Sequence, residues 1–344
     1  MRVKLGTKFP LVSIIIVNYN GEEYLESCIN SVLSAEYPNF EVILFDNAST
    51  DNSLVLIEQL LEHEPRLVIV RNPKNLGFAE GNNIGITASK GKYVVFLNND
   101  TQVTPNWLNE LVEVLEEDPL IGAGQSKLLQ INDIGYIDSV GDFIDYFGAT
   151  FCRGNKERDS GQYHNIEEIF SARGAAMILR RDVISEVGAF DPLFFIRCED
   201  IDICWRIRLR GYKVVLVPSS VVYHAGGSAT SEMQSSKVLF HGVKNVIMML
   251  LKNYSFTNLV KYNPLLTASG SVFLDLIARK NIPYAFTRLE AVFWVLKNLK
   301  HVWRNRQIVQ ERIRKVSDSE PMKHMARTNY AQYFKLFFSR IKQQ

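Results

Sequence analysis

No apolar run in this chain reaches the roughly 18–20 residues needed to cross a bilayer as a helix, so a transmembrane protein is not expected. Cysteine is scarce. Cys28, Cys152, Cys198 and Cys204 are scattered, with no Cys-x-x-Cys pair and no zinc-like spacing. That excludes a disulfide framework and a zinc module, and leaves reduced thiols, with Cys198 and Cys204 as packing residues. Neither sign of charge dominates: 39 Lys and Arg face 37 Asp and Glu, so nothing marks a nucleic-acid binder or an acidic tail. The first strand-like run is not followed by Gly-x-Gly-x-x-Gly, which counts against a dinucleotide dehydrogenase. Arg2, Lys4 and Lys8 precede that run without a small-residue cleavage pattern. No signal peptide is read there, and the catalytic body is expected in the cytosol. Internal repeats and low-complexity tracts are also lacking.

What the chain has is apolar material, 47% of 344 residues, enough for one large domain plus an appendage. From Ser13 to Asp100 buried strands alternate with amphipathic helices, the signature of βαβ units and a mainly parallel sheet. The strands are expected at Ser13 to Asn18, Glu41 to Asp46, Leu67 to Val70 and Tyr93 to Leu97. Asn20 and Glu23 have capping-box spacing ahead of a helix burying Leu25, Cys28, Ile29 and Val32. A second helix, capped near Asp51 or Ser53, is expected to bury Leu54, Ile57, Leu60 and Leu61 and stop at Pro65. Gly122 to Ser171 has poor periodicity and reads as loops and short strands around a pocket. Beyond it come a helix-like Asp182 to Val187, a turn at Gly188 to Pro192, a helix from Cys198-Glu199-Asp200 to Gly211, and a strand Val214 to Val217 leading to His224. From about Glu232 four helices are expected: Val238 to Leu251, Leu265 to Ile277, Tyr284 to Leu299 and Trp303 to Val316. Phe293, Trp294 and Trp303 accompany a basic run of Lys297, Lys300, Arg304, Arg306, Arg312, Arg314 and Lys315. Two readings stand for these helices: a membrane-interface face, or a helical subdomain on the sheet with solvated charges.

The most telling segment is Phe96-Leu97-Asn98-Asn99-Asp100-Thr101, an apolar strand ending in amides and a carboxylate. In an open α/β sheet ligands collect at the carboxyl ends of strands, so Asp100 is placed to hold a metal-bound phosphate. The plainer reading is a turn before a helix with Thr104 as N-cap and Pro105 at its first position. Three more segments end in polar groups where strands should stop. Val17-Asn18-Tyr19-Asn20 offers a ring to frame a base. Phe45-Asp46-Asn47 offers a carboxylate for an imide N–H, or an Asx turn. Asn75-Leu76-Gly77-Phe78-Ala79-Glu80-Gly81-Asn82-Asn83 offers amides and a glycine. Together they suit one task, holding a nucleoside diphosphate and its metal.

Ser13 to Asn20, Phe45 to Ser53, Asn75 to Gly85 and Val94 to Trp107 resemble, in order and spacing, four successive blocks of the inverting nucleotide-sugar glycosyltransferases of family 2. A fifth block runs from Gly174-Ala175-Ala176 through Gly188-Ala189-Phe190-Asp191 to Glu199-Asp200, with Arg206, Gly211 and Tyr212 following. The resemblance covers roughly residues 10 to 230. It is strongest to a rhamnosyltransferase-like branch that carries Asn-Asn-Asp where other members carry Asp-x-Asp. It implies an α/β fold of the GT-A type, a Rossmann-like mixed sheet flanked by helices, with a C-terminal helical extension. Residues 1–230 would form the catalytic domain, with a nucleotide-sugar half at about 10–120 and an acceptor half at about 121–230; residues 231–344 would form a helical region on a membrane surface or on the domain itself.

The implied activity is sugar transfer from dTDP-rhamnose, or from a UDP- or GDP-hexose, to a glycan or lipid-linked saccharide. The cofactor would be Mn2+ or Mg2+, held by Asp100 and His224, although a lone histidine at a strand end is otherwise read as a hydrogen-bonded surface residue. Asp200 would be the general base, with Glu199 orienting it or the acceptor. Val17, Tyr19, Asn20, Asp46, Asn75, Gly77, Asn82, Asn98, Asn99, Arg173 and Gly174 would contact substrate. The glycines after His224 would let a loop close over the diphosphate. Asp202 and Arg206, spaced i,i+4, read as structural. A nucleotidyltransferase is disfavoured because Asn20-Gly21-Glu22-Glu23 is acidic where a phosphate loop should be basic, and a non-catalytic nucleotide-sugar binder remains the third class. No nucleic-acid partner is expected, and oligomeric state is not legible.

Overall fold

The structure is a computed structural model, and it describes residues 9–60, 64–226, 235–277 and 281–327. The first half alternates β1 (Val12–Asn18), α1 (Leu25–Leu33), β2 (Phe40–Asn47), α2 (Ser53–Leu60), β3 (Leu67–Asn72), α3 (Gly77–Ala88) and β4 (Tyr93–Asn98). There follow β5 (Thr101–Val103), α4 (Trp107–Glu117), β6 (Ile121–Gln130), β7 (Ile137–Ser139), a hairpin of β8 (Asp142–Ile144) and β9 (Thr150–Cys152), and β10 (Glu167–Glu168). The sheet half closes with β11 (Ala176–Arg180), α5 (Arg181–Val187), α6 (Glu199–Arg210) and β12 (Lys213–His224).

The main sheet has the order β10-β12-β6-β11-β4-β1-β2-β3. β3, β2, β1 and β4 are parallel, β11 runs against both β4 and β6, and β12 is parallel to β6. All the parallel strands therefore end at one rim. Asn18 lies beside Asp46, Val17 beside Asn98, and Ala176 at the start of antiparallel β11 pairs with Leu97. β12 returns to the same rim, where His224 pairs with Thr101.

β1 and β4 are continuous apolar runs because helices cover both faces of the sheet. Side-chain alternation divides β4: Val94 and Phe96 join the cluster under α5 and α6, while Tyr93, Val95 and Leu97 join that under α1 and α4.

Three local expectations are corrected. Asn20 and Glu23 make no capping box: α1 begins at Leu25 after Tyr24 without a side-chain cap, because Asn20 has φ 51° and its side chain is tied to Thr50. α4 begins at Trp107, since the Thr104 hydroxyl donates to Val221 O instead of capping. The stretch Gly122 to Ser171 contributes β6, a full interior strand. Leu61, expected at the end of α2, lies outside the described residues.

The C-terminal part comprises α7 (Ser235–Asn253), α8 (Phe256–Lys261), α9 (Pro264–Ile277), α10 (Ile282–Lys297), α11 (Leu299–Gln307), a π-helical turn at Ile308–Ile313 and α12 (Ser319–Met322). Ile247, Met248, Val295 and Val309 share one core with Ile201 and Trp205 of α6. Lys252 at the end of α7 reaches Asp191 Oδ2 at 2.9 Å and Asp202 Oδ2 at 3.1 Å. Arg306 and Arg314, expected in a solvated basic run, are instead clamps: Arg306 donates to Leu251 O and Tyr254 O, and Arg314 pairs with Asp318 at 2.8 Å. No helix among the described residues is long and apolar enough to cross a membrane.

Candidate active site

The rim opens on a cavity of about 1010 Å3. Val17, Tyr19, Asn75, Gly77, Asn98, Asn99, Asp100, Arg173, Gly174, Glu199, Asp200 and His224 all line it. Three other expected residues do not. Asn82 is buried in α3 with its amide bonded to Phe78 O at 2.9 Å. Asp46 turns into the rim, accepting from Ser49 N at 3.3 Å in the Asx manner. The Asn20 carbonyl oxygen accepts from Thr50 N at 2.9 Å.

At one end of the cavity, His224 Nε2 lies 3.3 Å from Asp100 Oδ1 and 3.2 Å from Asn98 Nδ2. Its Nδ1 lies 2.9 Å from Asp138 Oδ2. Burial works against a charged imidazole here, but the hydrogen bonds and negative charges of Asp100 and Asp138 outweigh it and raise the ring to about 9. Asp138 is held below the ordinary carboxylate range: burial pushes it up, and His224 and Arg173 more than reverse that.

This donor set fits a hard divalent cation. Two ligand atoms at about 2.1 Å on adjacent octahedral positions stand about 3.0 Å apart, close to the observed Asp100–His224 spacing. A ligating histidine characteristically hands its other ring N–H to a carboxylate, as His224 does to Asp138. No group of three His, Cys, Asp or Glu with metal spacing occurs among the described residues. Two protein ligands leave positions for phosphate oxygens and water, the usual arrangement for Mg2+ at diphosphates.

At the other end, α6 presents Glu199 and Asp200 in its first turn. Asp200 Oδ2 accepts from Gly174 N at 3.1 Å, and its Oδ1 from Ile201 N at 2.8 Å. Burial raises the Asp200 carboxyl, and the Asp142 charge adds to it; Glu199 is raised by burial and by Asp200. Arg173 carries Asp142 and Asp138 on its guanidinium at 3.0–3.2 Å, so it links the two ends of the cavity. Burial opposes its charge, but these carboxylates hold it firmly protonated.

The backbone that delivers Asp200 is unusual. Phe195, Arg197 and Cys198 all have φ between 63° and 75°, a left-handed conformation uncommon outside glycine. Asn245 on α7 holds this loop, donating to Phe194 O, Ile196 O and Arg197 O at 2.7–3.0 Å. Gly77 is the partner that loop requires: its φ is 79°, and a Cβ there would lie 2.5 Å from Phe195 O.

Sequence reasoning missed Asp138, Asp142, Asn47, Lys237 and His241, which also belong to the site. Lys237 and His241 line the cavity from α7. Asn47 braces the third segment, donating to Asn75 Oδ1 at 3.1 Å and accepting from Leu76 N at 2.8 Å. Its place beside Asp46 at a strand end is a readable signal. Asp138 and Asp142 sit in the stretch without periodicity and carry none. Gly226 lines the cavity, but the rest of the expected closing loop, from Gly227 and Ser228, lies outside the described residues.

The family model for Glycosyl transferase family 2 matches residues 13–188, just over half of the chain. An uncharacterized glycosyltransferase of Haemophilus influenzae is 36% identical over 119 residues, 35% of this chain and 37% of that protein. The O-antigen biosynthesis protein RfbC of Myxococcus xanthus is 29% identical over 231 residues, 65% of this chain and 18% of its own length. The chain thus spans well under half the length of these curated relatives. The solved structure of mannosyltransferase PcManGT from Pyrobaculum calidifontis in complex with GDP-Man and Mn2+ aligns with a TM-score of 0.52 at 17% identity, covering 87% of this chain and 84% of that one. That likeness is one of fold.

Proposed function

The chain belongs to glycosyl transferase family 2, and from that premise we propose that it is a metal-dependent inverting glycosyltransferase, moving rhamnose from dTDP-rhamnose to a glycan or lipid-linked saccharide. The carrying observation is the pairing of two unlike ends in one cavity: Asp100 with His224, braced by Asp138, and Asp200 at the start of α6.

In this reading Asp100 and His224 hold Mn2+ or Mg2+, which when bound supplies charge neutralisation for the leaving diphosphate. Val17 and Tyr19 frame the nucleoside; Asn75, Gly77, Asn98 and Asn99 face the rest of the donor. Asp200 takes the proton from the acceptor hydroxyl as that oxygen bonds to the anomeric carbon, from the face opposite the breaking bond to the diphosphate oxygen. Gly174 N–H, on Asp200 Oδ2, fixes the direction of the carboxylate. Arg173 sets the distance between base and histidine through Asp142 and Asp138. Glu199 orients the acceptor.

A UDP- or GDP-hexose donor is the second reading, favoured by the GDP-Man held in the Pyrobaculum structure of like fold. A membrane-surface location also enters here. α9 to α11 expose Phe273, Phe286, Phe293 and Trp303 beside the exposed Lys297, Lys300 and Arg304, the composition of an interfacial face.

The test is Asp200→Asn, which keeps size and one acceptor but cannot take a proton. Transfer should fall by about 10²–10⁴-fold with donor binding unchanged, measured by product formation and nucleotide titration. Retention of transfer within tenfold would remove Asp200 from the chemistry.

A further inference from the structure

A second cavity, of about 600 Å3, meets the first at a shared wall of Arg173, Arg197, Glu199 and Asp200. Its other walls come from Phe147 and Phe151 around the β8–β9 connection and from α7 and α9. On α7 the lining is aliphatic, with Val238, Val243 and Val246. Between them stands Gly242, the one glycine of that 19-residue helix. Alanine is the better helix former at such a site. Yet a Cβ built at Gly242 meets nothing within 4 Å, so the cavity reaches the helix backbone itself.

We propose that this second cavity is the acceptor site, and that it takes a saccharide carried on an apolar aglycone, the sugar at Asp200 and the aglycone along α7 at Gly242. The inference rests on the reading that Asp200 is the base of an inverting transfer. In such a transfer the acceptor enters from the face opposite the leaving diphosphate. The diphosphate end is at Asp100 and His224, so the acceptor belongs beyond Asp200, where this cavity lies. A bare sugar would need hydrogen-bonding side chains on every wall, whereas α7 offers valines. α9 lines the same cavity with Thr267, Ala268 and Ser271, and exposes Leu266 and Phe273 elsewhere on its surface. The apolar wall thus belongs to a helix that also meets solvent with an apolar face.

The test uses the full chain and two probes: dodecyl β-D-glucoside below its micellar concentration, with glucose as the aglycone-free control, both by calorimetry. Wild type should bind the glucoside and bind glucose at least tenfold more weakly. Gly242→Ala should bind the glucoside within twofold of wild type. Gly242→Phe, which fills the cavity, should weaken it at least tenfold while melting temperature and Mn2+-dependent nucleotide binding are unchanged. If phenylalanine at 242 disturbs α7, Val243→Asn should give the same loss. Equal glucoside binding by both variants and wild type, or no preference over glucose, would overturn the proposal. Loss of nucleotide binding in wild type would instead sink the transferase reading, and the glucoside result would still locate the amphiphile.

Discussion

Asp200 is placed where a base is useful and a charge is penalised. Its raised carboxyl moves toward the pH at which it would work, the condition that favours proton transfer. Because the base acts only when ionised, activity should rise with pH through a limb set above the ordinary aspartate range. Burial and the Asp142 charge both raise that limb. Asp142→Asn removes one of these causes and releases Arg173 toward Asp200, so the acid limb of kcat/KM should shift to lower pH. An unmoved limb would mean that Asp142 does not act on the base. At this scale Asp100 and Asp200 are legible in the sequence, because each follows an element whose apolar pattern is plain. Asp138 is not, since it meets His224 from 86 residues away and its neighbourhood has no period. Asp46 shows the converse: a strand-end carboxylate with a strong local reading turns into the rim and bonds Ser49 N.

Among the elements, α7 does most to join the C-terminal helices to the catalytic rim. Asn245 braces the left-handed loop before Glu199, Lys244 reaches Phe194 O at 3.3 Å, and Lys252 is sealed between Asp191 and Asp202. Removing one partner of such a buried group leaves the others uncompensated and costs about 3–5 kcal/mol. Lys252→Met should therefore lower the unfolding free energy by about that much, read from the denaturant midpoint at unchanged slope; a loss below about 1 kcal/mol would show the pair to be slack. Burial pushes the Asp191 carboxyl up, yet Lys252 and His301 hold it far below its usual range. Its contribution to stability is thus complete above about pH 4 and is lost as pH falls toward the depressed folded value. The βαβ half of the fold is legible from period alone. The docking of α7 is not: Lys244, Asn245, Lys252 and Arg306 look like a wet helix face, and only long-range partners bury them.

The whole molecule combines a sheet that gathers polar strand ends at one rim, two cavities meeting at Asp200, and a helical flank that is apolar outside. If that flank rests on a membrane, the chain should float with anionic phospholipid vesicles, and replacing Lys297, Lys300 and Arg304 by Glu should weaken partition at least about tenfold. Flotation unaffected by the charge reversal, or absent in wild type, would return these helices to a purely structural role. The account rests most heavily on the diphosphate end of the donor cavity, and the direct measurement is a thermal-shift series of dTDP, UDP and GDP with and without Mn2+, on wild type and on Asp100→Ala. A ligand bound by the native state alone raises stability by mass action. The account predicts a shift that needs both a nucleoside diphosphate and Mn2+ in wild type and vanishes in Asp100→Ala. A shift of equal size without metal, or in the variant, or none with any nucleotide, would contradict it.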